Sequence, residues 1–162
     1  MKDNAISQLK RMALEQNKVK YPSIPDYARV CYNYSDKTAN GLTRCIIDFL
    51  KLSGHYAERI NTTGIYREGK TFKDVVGFTR ITPGMWTPGG ATPGSSDISA
   101  VIHGKAVKVE VKIGKDRMSE AQVKYKEKVE AAGAVYYVAR SFTEFYEWYN
   151  SILIKQTNHI CK

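Results

Sequence analysis

The sequence predicts an α/β domain, a mixed central β-sheet with helices packed against it. Three observations carry that expectation. Residues 42–50 set Leu42, Cys45, Ile46, Phe49 and Leu50 at spacings of three and four, the stripe of a helix with one apolar face. Two β-rich runs, 98–102 and 106–113, flank His103-Gly104, a spacing suited to a tight hairpin. A helix-patterned stretch closed by Gly133 leads directly into Ala134-Val135-Tyr136-Tyr137-Val138, which reads as a central strand.

Residues 1–41 read as a basic N-terminal extension. Lys2, Lys10, Arg11, Lys18 and Lys20 outnumber Asp3 and Glu15 in its first half. Ile6, Leu9, Met12, Ala13 and Leu14 suit a short helix there, and Pro22 and Pro25 mark an irregular connection over 21–41. The main domain then covers 42–154. Its first helix ends near Gly54, and 55–60 follows as a strand. Residues 61–96 are rich in Gly and Pro and show little periodicity, so they read as one long loop with at most a short helix or strand at 72–78. After the hairpin come a helix over 119–132, the central strand, and a final helix over 142–154 that Ser141 begins, with Glu144 in capping-box position. Residues 155–162 are left as a C-terminal tail. Phe142, Phe145, Tyr146, Trp148 and Tyr149 recur at helical spacing and read as core packing, with a homodimer face as the secondary use.

Composition narrows the function. The 162 residues carry 25 Lys+Arg against 16 Asp+Glu, a net charge of +9, which points to a polyanionic partner, nucleic acid before anionic membrane. No apolar run approaches the about 18 residues of a bilayer span, and none follows the Met-Lys start, so neither a membrane segment nor a secretory signal is expected. Cys31, Cys45 and Cys161 cannot all pair within one chain and none lies in CxxC or CxxH spacing. That suits a reducing, cytoplasmic setting and supplies no zinc ligand set.

The hairpin carries the strongest inference. With His103 and Gly104 as the loop, Ile102 faces Lys105, Val101 faces Ala106, and the ladder runs through Ser99–Lys108 and Ile98–Val109 to Asp97–Glu110. Side chains opposed in this way have Cβ atoms about 4.5–5.5 Å apart. Strand alternation sends Lys108, Glu110 and Lys112 to one face and Val107, Val109, Val111 and Ile113 to the other. Asp97, Glu110 and Lys112 therefore converge. Two facing carboxylates repel, and a hard divalent cation, Mg²⁺ or Mn²⁺ held by Asp97 and Glu110, is the fullest remedy. Lys112 would position an attacking water or stabilise charge on a phosphoryl oxygen. Gln122 has capping-box spacing from Ser119 and also shares a helical face with Tyr125 and Val129, where it would meet the metal water or a ligating carboxylate.

Pro93-Gly94-Ser95-Ser96-Asp97, then Glu110-Val111-Lys112, then Ser119-Glu120-Ala121-Gln122 resembles the VRR-NUC branch of the PD-(D/E)xK nuclease superfamily, whose signature is a G-x-x-D turn, an E-x-K strand and an S-x-x-Q helix. The resemblance covers about residues 42–154. It implies a restriction-endonuclease-like αβββαβ core and metal-dependent hydrolysis of phosphodiester bonds in DNA, in some relatives branched DNA. It assigns metal binding to Asp97 and Glu110, catalysis to Lys112, and a supporting role to Gln122. Many relatives carry a further glutamate near the start of the first core helix; Thr38-Ala39-Asn40-Gly41 has none, and Asp36, Asp48 and Glu58 are the nearest acids.

Arg59, Arg67, Lys70, Lys73, Arg80, Trp86 and Lys108 are the candidate nucleic-acid contacts, because basic and aromatic residues interleave through 59–86. Two other readings fit the same residues: a nucleic-acid-binding protein that no longer cleaves, and an unrelated α/β interaction protein.

Overall fold

The computed structural model describes residues 4–61, 64–87 and 89–160; Lys2, Asp3, Pro88 and Cys161 lie outside them. Helix α1 (Ala5–Lys20) opens at Asn4, whose side-chain oxygen accepts the Ile6 N–H. Ala5, Leu9 and Ala13 recur every fourth residue and are buried against α2 (Ala39–Leu52) and α4 (Phe142–Ile160). Residues 5–20 are therefore part of the core rather than an appended extension. Their charge hid this, because the basic residues all lie off the narrow buried stripe. The stretch that follows is irregular, as expected, and Arg29 fastens it by bonding the Asp26 carboxylate (2.8 Å), the Asn17 side chain and the Tyr21 carbonyl.

Thr38 caps α2 by accepting the Gly41 N–H at 3.1 Å, and Gly54 just past its end takes a left-handed φ of 80°. Strand β1 (Tyr56–Arg59) follows. The expected long loop is instead largely ordered into four short strands, β2 (Ile65–Arg67), β3 (Thr71–Lys73), β4 (Thr79–Ile81) and β5 (Met85–Thr87). β2 pairs with β5 and β3 with β4 in one continuous register, Tyr66 facing Trp86 and Phe72 facing Arg80. Residues 65–87 thus form a single hairpin arm. Asp74 closes its tip by accepting the N–H groups of Val76 and Phe78. All four strands are exposed, so they lack the half-buried alternation by which a strand is read from sequence.

Strands β6 (Ile98–Ile102) and β7 (Lys105–Val111), helix α3 (Glu120–Ala131) and strand β8 (Val135–Ala139) complete the domain before α4. The main sheet has order β1-β6-β7-β8, antiparallel except for β7 and β8, which run parallel and are joined through α3. The architecture is mixed α/β. Ala57, Ile98, Ala100, Ile102, Val107, Val109 and Val111 point to one face, where α2 and α4 cover them. Phe49 sits in the middle of that layer, edge-on to Phe142, Phe145, Tyr146 and Tyr149 with centroids 5.0–6.3 Å away. The terminal aromatics are therefore core, and α4 runs on through residues 155–160, which the sequence reading left as tail. No helix among the described residues is long and apolar enough to cross a membrane.

Candidate active site on the open face of the sheet

The β6–β7 hairpin has the expected register, with Ile98 opposite Val109 and Ser99 opposite Lys108. His103 and Gly104 supply its turn at φ 49° and 77°, both left-handed, as a two-residue turn matched to strand twist requires. Asp97 lies one step before Ile98. Its Oδ2 accepts the Val111 N–H at 2.8 Å, which holds the carboxylate against the strand that carries Glu110. The turn leading to it is set from the other side by Gly94, at φ 80°, where any Cβ would strike the Ala121 carbonyl in the first turn of α3. Gly94 thus brings the Asp97 segment and the α3 N-terminus into contact.

Glu110 and Lys112 face away from the apolar core, yet both are buried, at 2% and 6% exposure. The Lys112 N–H donates to the Ala139 carbonyl at 2.9 Å, extending the β7–β8 pairing one residue and keeping its side chain in step with that of Glu110. Lys112 Nζ lies 3.2 Å from Glu110 Oε1 and 3.4 Å from Asp116 Oδ2. Gln122 caps its helix and also reaches Glu110. Its Oε1 accepts the Ser119 N–H at 2.9 Å to complete the capping box, while its Nε2 donates to Glu110 Oε1. The Tyr136 hydroxyl donates to Glu110 Oε2 at 3.4 Å.

Burial pushes the Glu110 carboxyl above its ordinary value and the Asp97 charge pushes it further, against the opposing pull of Lys112 and Tyr136. The Tyr136 phenol is likewise raised, first by burial and then by Glu110. Asp97, Glu110, Lys112 and Gln122 therefore form one connected group. Lys108 stands one pair away on the same face, bonded to Ser99 Oγ at 2.7 Å. Arg59 is occupied with Asn40 (2.8 Å) at the start of α2. Arg67, Lys70, Lys73, Arg80 and Trp86 lie on the arm, outside this group.

The nearby acids divide. Asp36 accepts the Phe142 N–H at the start of α4, and Asp48 is bonded to Tyr34 and paired with Arg44. Glu58, opposite Ser99 on β1, stays on the open face, accepting from the Tyr56 hydroxyl. Tyr136 and Asp116 were missed from sequence. Tyr136 joins the site because the parallel β7–β8 pairing sets it opposite Lys108, a register that no short turn specifies. Asp116 was findable as the acid four residues beyond Lys112.

Two carboxylates are what the site offers a cation; among the described residues no group of three His, Cys, Asp or Glu side chains converges. That donor set fits Mg²⁺ or Mn²⁺, which commonly bind through one or two carboxylates and fill their remaining positions with water and phosphate oxygens. A cation at Asp97 and Glu110 would also relieve the repulsion that raises the Glu110 carboxyl. Comparison with protein-family models and with curated proteins finds no match to this chain.

Proposed function

We propose that this chain is a Mg²⁺- or Mn²⁺-dependent endonuclease acting on phosphodiester bonds in DNA, built on the restriction-endonuclease-like core of the VRR-NUC branch. The observation that carries the reading is the joining of buried Glu110 and Lys112 with half-buried Gln122 into one polar group, Asp97 held beside it. With the arm's four strands set aside, the order α2, β1, β6, β7, α3, β8 supports it, being helix, three strands, helix, strand.

Asp97 and Glu110 would hold the cation. When bound, it supplies Lewis-acid stabilisation of a phosphoryl oxygen and a more acidic water. Lys112 presents a positive charge beside them, restrained by Glu110 and Asp116, to orient the attacking water or to offset charge growing on the phosphate. Gln122 and Tyr136 each fix one oxygen of Glu110, which limits rotation of the carboxylate. The net charge of +9 draws in the polyanion. A branched or otherwise structured DNA is the favoured substrate, two copies together would span it, and the free thiols of Cys31 and Cys45 suit a cytoplasmic setting.

The second reading is a DNA-binding protein that keeps the scaffold without cleaving. It draws on the acid-free start of α2 and on the engagement of Asp36 and Asp48 elsewhere. Incubating the purified chain with linear, nicked, flap and four-way DNA in Mg²⁺, Mn²⁺ or chelator separates the two. The nuclease reading expects cleavage with cation and none with chelator, fastest on a branched form. Salt-sensitive binding with no product in any cation would establish the second.

A further inference from the structure

The arm leaves the main sheet beside the candidate site: the Ile60 N–H donates to the Asp97 carbonyl at 2.8 Å, tying the arm's root to the residue before β6. On one face of the arm Tyr66 and Trp86 stand directly opposite each other. Each ring is seated over the glycine that immediately precedes the opposing strand. A Cβ on Gly84 would collide with the Tyr66 ring, and one on Gly64 would collide with the Trp86 indole. The two glycines thus leave room for the rings to lie against the backbone. The rings remain 60% and 58% exposed, and neither belongs to the core cluster.

Charge surrounds this pair. Lys70 shares its face, and Arg67 and Lys73 project from the other. Arg80 is paired with Asp74 at 3.0 Å, and Glu68 is the second carboxylate of the arm. The balance is basic.

We propose that Tyr66 and Trp86 form a stacking platform for the bases of unpaired nucleic acid, with Lys70, on the same face, reaching its phosphates. Glycine-seated rings offer flat π surfaces, which suit any base and give sequence-tolerant stacking. Paired bases in a duplex already have stacking neighbours, so the platform favours single strands, flaps and forks. Charged Glu68 and Lys70 interrupt the apolar surface, which argues against a dry protein–protein contact. The proposal rests on the nucleic-acid reading above and narrows it to substrates with an unpaired stretch near Asp97.

The test is fluorescence anisotropy of labelled oligodeoxythymidine and of a blunt duplex of equal length, titrated with the full chain in chelator. Tyr66→Ala and Trp86→Ala should each weaken single-strand binding about tenfold while duplex binding holds. Tyr66→Phe and Trp86→Phe, which keep a ring, should retain most of it. The proposal falls if the wild type does not bind the single strand, if the alanine variants bind it as the wild type does, if both DNAs weaken together, or if the phenylalanine variants fail equally. It also falls if sedimentation shows the alanine variants losing a dimer, since the rings would then be covered by a second copy. Because binding is read in chelator, its outcome is independent of cleavage. Ring-dependent binding without cleavage would remove the nuclease reading alone, and cleavage with ring-independent binding would remove the platform alone.

Discussion

Glu110 is a carboxylate kept where burial and a neighbouring acid both work against its charge. A folded-state carboxyl raised above its unfolded value contributes stability that is present at low pH and lost as pH rises through the raised value. Ionising the side chain therefore carries a cost, offset in part by Lys112, Gln122 and Tyr136. Such residues are common where function rather than stability sets the environment. Asp97→Asn removes one of the two repelling charges and keeps an oxygen to accept the Val111 N–H. In chelator the variant should melt at or above the wild-type temperature. Cation about a hundredfold above its dissociation constant should raise the wild-type melting temperature by about 5–10 °C, and that shift should vanish in the variant. Differential scanning fluorimetry measures both.

Among the elements, those with one buried face were legible in the sequence. The apolar stripe of α2 and the alternation in β7 each answer to a single core, and the His103-Gly104 turn specified the β6–β7 register residue by residue. The paired ladder ends at Ile98–Val109, one step short of the expected Asp97–Glu110 pair, and Asp97 reaches β7 through its carboxylate on the Val111 N–H. The arm was not legible, because strands wet on both faces have no burial pattern to display. Nor was the role of α1, whose buried stripe is narrow beneath a basic surface. Tyr136 needed the parallel pairing across α3, which is a tertiary fact. His55 was likewise unassigned, yet it links three elements. It follows α2, lies 4.5 Å ring to ring from His103 in the hairpin turn, and shares a 2.8 Å hydrogen bond with Tyr149 of α4. Burial first, and His103 second, hold its imidazole below the ordinary value. The unfolded chain therefore takes up the proton more readily, and stability should fall as pH drops below about 6.5. Melting curves across that range should show the decline, and His55→Gln should flatten it.

In the whole molecule, the main sheet separates two tasks. One face is given to the apolar core under α2 and α4, the other to the polar group around Glu110, with the arm leaving at Asp97. On the proposed function, the excess of positive charge would draw DNA to both the site and the arm and make its binding sensitive to salt. Binding alone, however, does not distinguish a nuclease from a basic scaffold. Catalysis does, because it requires charge placed against the transition state. The deciding measurement is single-turnover cleavage of DNA in Mg²⁺ by the wild type and by Glu110→Gln and Lys112→Ala, with DNA affinity recorded in parallel. The account predicts cleavage by the wild type and its loss in both variants, with affinity nearly preserved. Variants that cut DNA at the parental rate would contradict it.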